Sequence, residues 1–121
     1  MQKYLANREL AAPAEVRDLF GGQGLFRRRP YFSEGDGVSP FTIIVETEME
    51  PGSYAGLHTQ PDQHELLYIL EGSGRFTIAG QTLEVQQGDA LLAPAGATFG
   101  LANPSGAPLR YLAVKCRTTS T

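Results

Sequence analysis

The sequence contains one cysteine, Cys116, so no internal disulfide can form. With no CxxC pair and no histidine near it in the chain, Cys116 reads as a small core residue rather than a nucleophile. Long apolar runs are missing too. Nothing approaches the roughly 20 residues that a bilayer-spanning helix needs. The opening segment MQKYLANREL lacks the apolar core of a secretory leader. A cytoplasmic location and no membrane partner are therefore expected. Excess charge is also absent: ten Lys+Arg against thirteen Asp+Glu leave a formal net charge of −3. That balance gives no basic footprint for nucleic acid or an anionic membrane. The one basic run, Arg27-Arg28-Arg29, falls on a predicted strand, where successive side chains point to opposite faces. Solvated or locally paired arginines are the expectation there, and contact with a phosphate or carboxylate is the alternative.

No internal repeat, low-complexity segment or linker interrupts the 121 residues, a length that fits one domain. Residues 13–22, PAEVRDLFGG, predict the only helix, with Pro13 able to start it and Gly21 to stop it. Val16, Leu19 and Phe20 would share one face, making a short lid on the main body. From Leu25 onward, short β-branched and aromatic runs alternate with Gly, Pro, Asn and Asp. Strands are predicted within 41–50, 64–72, 74–80, 81–88, 89–96, 97–106 and 108–117, with a hairpin around Ala79-Gly80-Gln81. Many short strands about ten residues apart indicate an all-β sandwich or barrel.

Two of these strands are apolar on both faces. Leu66 to Leu70 form an unbroken apolar run. In 108–117, Leu109, Tyr111 and Ala113 fall on one side, Leu112 and Val114 on the other. A strand with one wet face should alternate, so some outer faces must be covered. A second subunit in a two-fold homodimer is the expected cover. The N-terminal segment is the alternative.

The stretch HTQPDQHELLYILEGSG, residues 58–74, places two histidines, a glutamine and a glutamate close together. Gly52, His58, Gln60, Glu65 and Gly72 follow the pattern G-x5-H-x-H-x3-4-E-x6-G. Gly88, Pro94, Gly96, Phe99 and Asn103 follow G-x5-P-x-G-x2-H-x3-N. In these residues the chain resembles the cupins, over 52–103. The resemblance implies an all-β, double-stranded antiparallel β-barrel of the cupin or jelly-roll type. It is expected as an arm and short helix over 1–24, a barrel over 25–117 and a tail over 118–121.

The resemblance also implies a metal held by three histidines and a glutamate, a donor set suited to a divalent transition ion. This chain departs from that set twice, with Gln60 at the second histidine position and Phe99 at the third. An amide is a poor ligand and a phenyl ring is none. The expectation is a barrel that has lost its metal, with no cofactor. His58, His64, Gln60 and Glu65 in an irregular site are the alternative, although His64 and Glu65, as neighbours on a strand, should face opposite ways. The expected pocket is mainly apolar, lined by Phe99, Leu67 and Ile69, with His58, Gln60 and Glu65 on one wall and His64 at the rim. His58 and Glu65 would face each other as an acid–base pair. The implied function is binding of a small organic molecule, with or without isomerase- or cyclase-like activity. A metal-dependent dioxygenase and a non-catalytic ligand sensor are the alternatives.

Overall fold

In the computed structural model, which describes residues 4–118, ten strands form wherever the chain alternates or runs apolar between turn residues. They are β1 (Ala14–Arg17), β2 (Leu25–Ser33), β3 (Phe41–Met49), β4 (His58–Thr59), β5 (Gln63–Glu71), β6 (Ser73–Ile78), β7 (Gln81–Gln86), β8 (Ala90–Ala93), β9 (Thr98–Ala102) and β10 (Leu109–Arg117). All pairings are antiparallel. A six-stranded sheet runs β1-β2-β3-β10-β5-β8 and a four-stranded sheet runs β4-β9-β6-β7. Their apolar faces enclose one core, to which the larger sheet gives Phe26, Met49 and Ile69 and the smaller gives Phe76, Phe99 and Leu101. This is the double-stranded antiparallel barrel expected from the sequence. The expected hairpin forms as well, with Ala79 and Gly80 both at positive φ between β6 and β7, as tight two-residue turns require.

The helix expected over 13–22 does not form. Ala14–Arg17 pairs with β2, Val16 opposite Phe26, and only Leu19–Gly21 makes a single 3-10 turn. The open edge of β2 offers this segment a ladder of hydrogen-bonding groups, and a ten-residue helix is marginal without such tertiary support. Asp18 and Phe20, at φ 55° and 54°, also break any continuous helix. Of the expected 118–121 tail, all but Thr118 lies outside the described residues.

Strand alternation sorts β5 as predicted. Glu65, Leu67 and Ile69 are buried while His64, Leu66 and Tyr68 are exposed. On the outer face of the larger sheet, Ile44, Val114, Leu66 and Leu92 stand in one cross-strand row, and Leu112 is beside Tyr68 in the next. The described part of the N-terminal arm packs on the β2–β3 side of that face. There Arg8 pairs with Glu46, and the Arg29 guanidinium donates to the carbonyls of Arg8 and Ala11, each at 2.9 Å. Leu66, Tyr68 and Leu92 remain exposed. At the far end of the barrel Asn103 is fully buried. Its amide donates to the carbonyls of Met49, Glu50 and Ala107, tying the end of β3 to the loop after β9.

Candidate functional site

His58 begins β4, directly opposite Phe99 on β9. Its Nδ1 lies 2.9 Å from the Gly56 carbonyl oxygen. A carbonyl only accepts, so the proton of the neutral ring is on Nδ1 and Nε2 keeps its lone pair. That Nε2 is buried and has no hydrogen-bond partner. The imidazole is held between two phenyl rings. Phe20 stacks on it with centroids 3.7 Å apart and planes 13° from parallel, and Phe99 lies at 4.3 Å and 47°.

Phe20 reaches this place because the chain around it runs very close to the loop before β4. Gly56 donates its N–H to the Leu19 carbonyl at 3.0 Å. A Cβ on Gly56 would sit 2.0 Å from the Phe20 carbonyl oxygen, and one on Gly22 would sit 2.0 Å from that of Tyr54. Only glycines permit that approach. The ammonium of Lys115, 5.7 Å from the Phe20 ring centroid, makes a cation–π contact on the same ring.

Glu65 projects inward from β5. Its carboxylate accepts a 2.9 Å hydrogen bond from the Gln60 amide and lies 3.9 Å from the Lys115 ammonium. The Gln60 carbonyl oxygen is left buried and without a partner. The direct His58–Glu65 pair expected from the sequence is not formed. Glycine carbonyl and phenyl rings occupy the imidazole, while Gln60 and Lys115 occupy the carboxylate. His64 lies on the opposite face of β5, exposed, and accepts the Ala95 N–H on Nδ1 at 2.9 Å. Leu67 and Ile69 are packed into the core, 2% and 0% exposed.

A second polar group stands deeper in the larger sheet. Arg28, Thr47 and Tyr111 are neighbours across β2, β3 and β10. Burial pushes the Tyr111 phenol up to about 12, and the charge of Glu65 adds to the rise. The Thr47 hydroxyl and the Arg28 guanidinium pull the other way. Thr47 Oγ1 stands beside that phenol without a hydrogen bond of normal geometry, and Arg28 Nε is likewise buried and unpartnered. Each such orphaned group costs about 1–3 kcal/mol. His58, Gln60, Arg28 and Thr47 account for all the orphaned buried side-chain atoms among the described residues.

The residues present do not fit the metal centre that the resemblance implies. Gln60 turns its N–H toward Glu65 instead of offering an anionic or imidazole donor, and Phe99 has no lone pair. Among the described residues, no three His, Cys, Asp or Glu side chains are placed to hold a metal ion.

Residues 45–115 match the family model described as a cupin domain. The chain is a cupin. It is similar to the oxalate-binding protein of Thermotoga maritima, 26% identical over 102 residues that make up 84% of each chain. Among solved structures, a predicted oxalate decarboxylase from the same organism superposes with a TM-score of 0.90 at 24% identity, covering 94% of this cupin and 99% of that chain. The polyketide cyclase RemF from Streptomyces resistomycificus superposes at 0.76 with 25% identity, covering 100% and 87%.

Sequence reasoning missed four contributors to this region: Phe20, Lys115, Thr47 and Tyr111. Tyr111 and Lys115 share the inward parity of β10 with Ala113, and that parity was the available signal. Nothing local marks Phe20 as the partner of His58.

Proposed function

We propose that this cupin binds a small organic molecule at the mouth of its barrel, using its own side chains and no metal ion. One observation carries the reading: the His58 Nε2 and Gln60 Oε1 acceptors are both buried without partners, the imidazole packed against the Phe99 ring. A ligand with a hydroxyl or N–H donor for each of these atoms would satisfy both, and its apolar part would lie against Phe99. The relative named for oxalate binding and the neighbour named as a polyketide cyclase support a barrel used for small molecules. The His58 lone pair is the proton acceptor of the site, and Glu65, fixed by Gln60 and Lys115, is its negative charge. Proton transfer within a bound substrate is the chemistry open to such a pair of groups.

The test is a fragment screen by NMR on chelator-treated protein. The reading expects hits that shift His58, Gln60 and Phe99, and expects His58→Ala to lose them while keeping its fold. Hits that need added metal, or that survive His58→Ala unchanged, contradict it.

We infer also that a second copy of the chain covers the exposed patch of Leu66, Leu92 and Tyr68. An apolar patch running continuously across neighbouring strands marks an interaction surface. A two-fold axis pairs such a patch with itself.

A further inference from the structure

The basic run Arg27-Arg28-Arg29 divides by strand parity. On the outer face, Arg27 pairs with Glu15, Glu48 and Glu50, and Arg29 donates to backbone carbonyls. Arg28 faces inward with Phe26 and Thr47, and among the described residues it has no ion pair and no hydrogen bond. Arg28 as a whole is half-buried, but its Nε–H is fully buried without an acceptor, and a buried donor left unpaired is costly. Its neighbour Thr47, 1% exposed, has a hydroxyl that sits beside the Tyr111 phenol without a hydrogen bond of normal geometry.

We propose that Arg28 and Thr47 form a carboxylate-binding subsite inside the barrel, receiving the anionic end of the ligand. This rests on the reading of the barrel as a small-molecule site and adds its polarity. The Arg28 Nε–H and the Thr47 O–H lie on adjacent strands, and two donors side by side suit the two oxygens of one carboxylate. Tyr111, next in the row, is a neutral phenol through the neutral range, its pKa pushed from 10.0 up to about 12, so no second anion stands beside the ligand. Glu65, whose charge is felt at Tyr111, disfavours a dianion such as a phosphate. The ligand is thus a monocarboxylate with an apolar body and, at its other end, a donor for His58 or Gln60.

The probes are benzoate and its neutral analogue benzamide, titrated into isotope-labelled, chelator-treated protein and followed by NMR. Benzoate is expected to shift Arg28 Nε–H and Thr47 and to bind roughly tenfold or more tightly than benzamide. Arg28→Gln and the near-isosteric Thr47→Val should each erase that preference. Equal affinities in the unaltered protein, with shifts at His58, Gln60 and Phe99, overturn the carboxylate subsite and leave the pocket standing. No response to either probe at any of these residues overturns both. Because the two probes are compared in the unaltered protein, the result does not depend on either variant folding.

Discussion

Phe20 lies flat on His58, 3.7 Å between ring centroids, although the two residues are 38 positions apart in the chain and Phe20 lies in the turn between β1 and β2. The stack closes one side of the imidazole and leaves Nε2 buried with its lone pair unused. The turn between β1 and β2 therefore forms one wall of the His58 environment.

Removing the ring tests this. Phe20→Ala should cost about 1 kcal/mol in chemical denaturation, the usual worth of such an aromatic pair. It should also move the His58 ring resonances and speed exchange of the His58 Nδ1 proton. Unchanged His58 resonances would show that the turn does not cover the imidazole in solution.

Tyr111 gives a prediction in pH. Its pKa is raised in the fold, from 10.0 to about 12. The folded chain therefore holds the proton that the unfolded chain releases, and the associated stability is fully present below pH 10. It is lost as pH rises from about 10 through about 12, to a total of about 2–3 kcal/mol. Tyr111→Phe should flatten this part of the alkaline stability profile. A variant with the same alkaline slope as the unaltered protein contradicts the assignment.

The outer row has its own test. Light scattering should give a dimer mass for the protein, and Leu66→Glu combined with Leu92→Glu should give a folded monomer. These side chains are exposed in the single chain, so the double variant has little reason to lose stability otherwise. A monomeric unaltered protein would rule out the second copy as the cover.

Much of this arrangement was legible in the residues, for reasons that differ from place to place. The alternation in β5 assigns Glu65 inward and His64 outward because strand side chains have period two, and burial follows that pattern. The glycine and asparagine framework announced the barrel because turns and buried amides tolerate few substitutes. Asn103 alone holds three carbonyls. The N-terminal helix was misread because spacing reports only local preference, whereas the open edge of β2 decided the conformation of Ala14–Arg17. Gln60 stands beside Glu65 as the motif suggests, but Phe20 and Lys115 are illegible as partners of His58 and Glu65 because pairings between side chains far apart in sequence follow from tertiary geometry. Phe20, Gln60 and Lys115 took the positions where a direct His58–Glu65 contact was expected.

A constructive variant probes the lost ligand set. Phe99 is the cross-strand partner of His58, so Gln60→His combined with Phe99→His places three imidazoles near Glu65. Calorimetry with zinc or nickel should detect a binding event in the double variant that is absent in the unaltered protein. No gain would mean that residues 60 and 99 do not point to a common centre.

The central claim is that the barrel works through hydrogen bonds and shape, with Phe99 where a ligand atom would stand. It is tested most directly by elemental analysis of protein purified without chelator. The account predicts transition-metal content far below stoichiometric. One tightly held ion per chain, released when His58 is replaced by alanine, would contradict it.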